Sequence, residues 1–179
     1  MSKLYMVGGL IAAVVAGAQF LNMRAQPTVV GAGSGITEAA RRDAVSLVAK
    51  GDPAMEAARA KARAGVDGFL ALAARPPAGA SKFAVKLAVR DGEMVEYFWI
   101  SGFVNQGQFY VGLLDNTPRM VKTVKQGQAM TFRRDDIVDW MYVERGAMKG
   151  NFTACALLSK ESPAEREKFM KTYRLTCAG

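Results

Sequence analysis

Two kinds of side chain in this sequence could do chemistry: a scatter of carboxylates beside turns, and one pair of cysteines. Glu96, Asp136, Asp139 and Glu144 could act in pairs as general acid and base, the arrangement by which glycosidic bonds are hydrolysed. Of these, Glu96, Asp136 and Asp139 are the candidates for a catalytic pair. Carboxylates at such places more commonly accept from nearby backbone amides or pair with arginines, here Arg133 and Arg134. The chain contains no histidine. That removes the Ser-His-Asp triad, the Cys-His nucleophile pair and the His-rich zinc site. Two distant cysteines cannot hold a structural zinc by themselves, and neither a phosphate loop nor a dinucleotide fingerprint is present. The residues imply no metal and no cofactor.

Binding residues are easier to nominate. The stretch Phe132 to Thr153, FRRDDIVDWMYVERGAMKGNFT, interleaves polar, aromatic and glycine residues more densely than a packed strand requires. Trp140 is large and amphipathic and could floor a recognition groove, with Trp99 and Tyr142 beside it in a folded sheet. The plainer reading is a packed tryptophan whose indole N–H finds a carbonyl. Asp139 would then bond neighbouring amides and fix a turn. Asn151 and Thr153 face the same choice between touching a ligand and joining strands. Gly150 suits a backbone conformation closed to other residues.

Elements that must position these residues follow from periodicity. Asp52-Pro53 is a helix start, a carboxylate cap followed by a proline at the first helical position. Met55, Ala58, Ala62, Val66, Phe69, Leu70 and Ala73 recur at helical spacing up to about Ala74, where Pro76-Pro77 closes the helix. Gly65 and Gly68 weaken it by about 1 kcal/mol each. From Ser81 the period becomes two: Phe83, Val85, Leu87 and Val89 form one buried face, while Lys82, Ala84, Lys86, Ala88 and Arg90 form a largely exposed one. Asp91-Gly92 turns the chain into a second strand, Met94 to Ser101. Further strands are expected at Phe109 to Leu114, Met120 to Val124, Ala129 to Phe132, Ile137 to Val143 and Asn151 to Leu158. Ser162-Pro163-Ala164-Glu165 is a capping box and opens a last helix through about Tyr173. A long helix packed on an antiparallel sheet of about six short strands, with a short C-terminal helix, is an α+β architecture.

The amino-terminal part serves another purpose. Leu4 to Leu21 is an uncharged apolar run preceded by Lys3, and it reads as a signal peptide or a membrane anchor within residues 1–25. Ala16-Gly17-Ala18 would allow cleavage before Gln19, and the same run is just long enough to stay as a single span in the inner membrane. Either outcome places residues from about 26 onward outside, hence periplasmic, secreted or held on the outer side of the inner membrane. Residues 26–51 form a small-residue linker and a short helix, Ala39 to Lys50. Residues 52–179 make the domain.

The net charge of +8 stays near +7 once the leader is removed, enough to meet anionic lipid or an acidic partner. The basic residues are scattered, without a nucleic-acid motif, so nucleic acid is not expected as a partner. In an oxidising compartment Cys155 and Cys177 could bridge the tail to the expected last strand, closing a loop worth roughly 3 kcal/mol. Otherwise Cys155 is a small buried apolar residue and Cys177 is free.

Asp52 to Leu158 resembles the DUF2314 family of small bacterial exported proteins. The resemblance is carried by Asp139-Trp140, Gly150-Asn151 with Phe152-Thr153, Phe98-Trp99 after Glu96, and Gly112 with Asn116 and Pro118. It implies the shared domain and names no active site. The reading is therefore an exported, noncatalytic module that binds a protein or envelope component, with Trp99, Asp139, Trp140, Tyr142, Asn151 and Thr153 as binding candidates. The alternatives are an envelope hydrolase with a carboxylate pair and an immunity protein that neutralises a toxin.

Overall fold

The first helix starts as its chemistry suggests. Asp52 Oδ1 accepts from the Met55 amide at 3.0 Å and Pro53 takes the first position, where its missing N–H costs nothing. In the computed structural model, which describes residues 51–177, helix α1 runs Pro53–Ala74. Six strands follow: β1 (Ala80–Asp91), β2 (Met94–Asn105), β3 (Tyr110–Leu114), β4 (Ala129–Phe132), β5 (Ile137–Glu144) and β6 (Ala147–Gly150). They form one sheet in the order β4-β3-β2-β1-β5-β6, with every neighbouring pair antiparallel. Helices α2 (Phe152–Leu158) and α3 (Pro163–Tyr173) complete the α+β domain. The expected leader, linker and Ala39 to Lys50 helix lie outside the described residues. Among the described residues, no helix is long and apolar enough to cross a membrane.

The core lies between α1 and one face of the sheet. Val66 and Phe69 from α1 meet Val85, Leu87, Phe98 and Ile100 from the central strands. Aromatic rings thicken this layer, with Phe69 stacked on Trp140 at 5.0 Å and Phe83 stacked on Tyr142 at 5.2 Å. Gly65 belongs to this contact. A Cβ there would stand 2.8 Å from the Trp140 ring, so the glycine that weakens the isolated helix is what lets helix and tryptophan approach.

Three expectations need correction. Met120 to Val124 is not a strand: Glu96 accepts the amides of Arg119, Met120 and Val121 at 3.0–3.2 Å, so a side chain satisfies donors that a ladder would have used. Asn151 to Leu158 is helix α2 and not a strand. Gly150 and Asn151 both adopt positive φ, 77° and 56°, which turns the chain out of the sheet after the short β5–β6 hairpin. A short apolar run is compatible with either element, and the turn before it decides. The disulfide between Cys155 and Cys177 accordingly ties the tail to a helix. Lastly, Lys86 is 2% exposed although alternation assigns it to the exposed face, because that face is covered too.

Candidate functional site

Pairing register sets the site. Trp99 on β2 and Asp139 on β5 both lie opposite Lys86 on β1, making a lateral row across the three strands. Strand alternation puts this row on the face away from Val85, Leu87 and Phe98. Lys86 Nζ sits 4.6 Å from the centre of the Trp99 ring and donates to Thr153 Oγ1 at 2.7 Å. Thr153 Oγ1 in turn donates to Asp139 Oδ2 at 2.6 Å. The same carboxylate accepts the Thr153 amide at 2.9 Å, and its other oxygen accepts the amides of Trp140 at 2.8 Å and Phe152 at 3.3 Å. Asp139 thereby satisfies amide donors in the first turn of α2, which have no partner within the helix itself.

Lys86, Asp139 and Thr153 are all nearly inaccessible to solvent. Burial pushes the Asp139 carboxyl above its ordinary value, against the opposing pull of the Lys86 charge and of the Thr153 and Trp140 hydrogen bonds. The Thr153 hydroxyl gives its proton to the carboxylate and a lone pair to the ammonium. A nucleophile needs a free lone pair and access to a substrate, and this hydroxyl is engaged and enclosed. The network's evident work is to hold the start of α2 against β5.

Beside it opens a cleft of about 230 Å³. Trp99 and Met141 line it from the sheet, Met148 from β6, Ala154, Leu157 and Leu158 from α2, and Phe169 and Tyr173 from α3. Its polar side-chain groups are those of Asn116 and Asn151, with the Tyr173 phenol. Asn116 Oδ1 accepts the Trp99 amide at 2.7 Å, which holds that tryptophan's backbone in place. Asn151 is 6% exposed; its Nδ2 meets the Met148 sulfur at 3.4 Å, while its Oδ1 is buried without a hydrogen-bond partner. A buried acceptor left unpaired is unfavourable, and a ligand donor would relieve it.

The structure separates the other candidates. Glu96 is fully buried and lies on the α1-facing side, two residues from the core residue Phe98, with both oxygens bonded to the 119–121 backbone. Asp136 is exposed and caps a single helical turn, Arg134–Asp136, by accepting the Arg133 amide at 2.7 Å. Glu96 and Asp139 therefore occupy opposite faces of the sheet and make no pair. Trp140 and Tyr142 lie in the aromatic layer under α1, where Trp140 Nε1 donates to the Ala62 carbonyl at 2.8 Å and burial raises the Tyr142 phenol. Trp99, Asp139, Asn151 and Thr153 are brought together. Lys86 is the residue the sequence reading missed, since its hydroxyl partner is 67 residues away and leaves no local signal. Among the described residues, no cluster of acidic or sulfur ligands could hold a metal ion.

The match to the DUF2314 family, described as an uncharacterized protein conserved in bacteria, spans residues 52–176. The chain is 33% identical over 79 residues to the uncharacterized protein YegJ of Escherichia coli K12, covering 44% of this chain and 52% of that protein. It is 37% identical over 76 residues to a putative ankyrin repeat protein of Neisseria meningitidis serogroup B, covering 42% of this chain and 30% of the relative. The matched part thus spans about half of one relative and less than a third of the other. No solved structure matches the chain.

Proposed function

This chain belongs to the DUF2314 family, and on that premise we propose that it is a noncatalytic binding module of the bacterial envelope. Its recognition site is the cleft between Trp99 and Asn151. The observation that carries this reading is a largely apolar cavity lined by Asn151, a residue whose buried Oδ1 has no hydrogen-bond partner. At about 230 Å³ the cavity is smaller than the roughly 300–1,000 Å³ typical of sites for whole small molecules. It suits one inserted side chain of a protein partner, apolar in body and carrying one N–H or O–H donor. The buried Lys86, Thr153 and Asp139 network keeps the wall fixed, and such preorganisation favours tight recognition. The Neisseria relative is named for ankyrin repeats, an architecture that builds binding surfaces, which agrees with a partner-binding role. The apolar run Leu4 to Leu21 and the Cys155–Cys177 bridge agree with work in an oxidising compartment.

Indole and N-methylindole test the site, since they differ chiefly in the donor. With methionine methyl groups labelled in the full chain, indole is expected to shift the Met141 and Met148 signals, and N-methylindole to do so at several-fold higher concentration. Asn151→Gly keeps the left-handed backbone and should abolish the difference. Equal responses to the two compounds in the native protein, or silence at Met141, would sink the assignment.

A further inference from the structure

A second and larger concavity, about 750 Å³, is bounded by α1, β6, α2, α3 and the tail that Cys177 fixes. Its charged lining is wholly basic: Lys61, Lys149, Arg166 and Arg174, with no carboxylate among its walls. Lys149, Arg166 and Arg174 form no ion pair among the described residues. Among the described residues, the Arg166 side chain reaches the Glu161 carbonyl, at 3.4 Å through Nη2, and its Nε is buried without a partner. Arg166, Met170 and Arg174 follow one another at four-residue spacing, so they share one side of α3 and its C-terminal cap. Among the described residues, no acidic side chain lines this groove. Gathering Lys149, Arg166 and Arg174 with no counter-charge among the described residues is unfavourable, and an anion reverses the sign. Two guanidinium forks are suited to planar, bidentate capture of phosphate or carboxylate.

The remaining wall is largely apolar, with Phe152, Leu158 and Met170 beside a row of alanines. Ala54, Ala57 and Ala58 come from α1, Ala147 from β6 and Ala156 from α2. Side chains this short leave room for methylene groups to lie against them. Apart from the cations, its side-chain polar groups are Ser159 and Thr176. An extended peptide would bring main-chain amides that this wall could not satisfy. An inorganic anion would leave the apolar wall unused. The volume falls within the range of roughly 300–1,000 Å³ usual for small-molecule sites.

We propose that this groove binds an anionic amphiphile, its phosphate or carboxylate head held by Arg166, Arg174 and Lys149 and its alkyl chain lying along the alanine wall. The site is separate from the Asn151 cleft, although Met148 and Leu158 line both. The Met170 methyl reports on this groove and is absent from the cleft.

The test is a titration of the full chain, labelled at methionine methyl groups, with octyl phosphate, octanoate, octanol and inorganic phosphate. Octyl phosphate or octanoate should move the Met170 signal and leave Met94, at the β1–β2 turn, in place. Octanol and inorganic phosphate should need at least about tenfold higher concentration, the factor that one lost charged contact commands. The stronger of the two anions distinguishes a phosphate head from a carboxylate. Arg166→Gln with Arg174→Gln should weaken the response about tenfold or more, and Lys149→Gln on β6 provides a variant outside α3. Unchanged affinity in both variants, or octanol matching octyl phosphate, would overturn the proposal. So would an oligoglutamate peptide that displaces octyl phosphate, because an acidic polypeptide would then be the better ligand. Loss of indole binding at Met141 leaves these outcomes untouched, so the two sites stand or fall separately.

Discussion

The two faces of the sheet are both buried, but by opposite means. Under α1 the contacts are Phe69, Phe83, Phe98, Ile100, Trp140 and Tyr142, a layer with Glu96 as its carboxylate. Under α2 the covered groups are Lys86, Asp139, Thr153 and Asn151. Apolar burial is non-directional and tolerates small displacements, whereas a buried ammonium and carboxylate are favourable only in one geometry with their hydrogen bonds complete. The first face supplies stability. The second specifies where α2 must sit, and with it the cleft and the groove on either side of that helix. A protein that needed only a stable sheet would have no use for the second arrangement.

The largest expected effect breaks the polar face. Asp139→Ala should cost about 3–5 kcal/mol in urea unfolding, because it removes the carboxylate facing the buried Lys86 charge and leaves the Phe152 and Thr153 amides without their acceptor. Lys86→Met combined with Asp139→Leu should recover only the part of that loss due to the uncompensated charge, since the Trp140, Phe152 and Thr153 amides still lack their acceptor. Phe69→Ala breaks the apolar face by a comparable amount, about 3–5 kcal/mol, yet the preference for indole over N-methylindole should survive it in the folded fraction. If both variants lost that preference equally, the division of labour between the faces would be wrong.

Smaller effects sharpen the contrast. Glu96→Gln leaves the 119–121 amides short of an acceptor and should cost about 1–3 kcal/mol, without altering the response of Met141 to indole. Asp139 also predicts a pH dependence. Its folded value is raised above its ordinary one chiefly through burial, so the folded protein holds a proton to higher pH than the unfolded chain, with a value of about 3.9. That contribution is complete below the unfolded value and is lost as pH rises through the folded one. Asp139→Asn should flatten the decline in a series of urea midpoints taken upward from about pH 4. The smallest effect belongs to the exposed pair Arg134 and Asp67, bonded at 2.6 Å on the surface: Asp67→Asn should leave the unfolding midpoint unchanged.

Much of the α1 face was legible in advance. Helical spacing from Met55 to Phe69, the Asp52-Pro53 start, the β1–β2 hairpin and the Ser162 cap all depend on neighbours a few residues apart. Trp140 with its indole on a carbonyl follows from the same local chemistry, though not which carbonyl. The polar face was legible only in its parts. Asp139, Asn151, Thr153 and Trp99 were each candidates for separate reasons, and nothing local joined them. Lys86 reads as a solvated strand residue until α2 covers it, and α2 itself reads as a strand until Gly150 and Asn151 turn the chain.

The sequence by itself determined the elements with strong periodicity and caps, the α+β class, and the absence of histidine chemistry, because each depends on residue type or short spacing. Tertiary structure alone decided which carboxylates are apart, that Lys86 and Asp139 share a buried hydroxyl, and that Asn151, with an unpaired buried oxygen, lines a cleft. Those facts arise from strand register and from a helix that begins at a left-handed turn. Register joins residues through space at a cost set by loop closure and packing, and no short-range pattern in the chain records it.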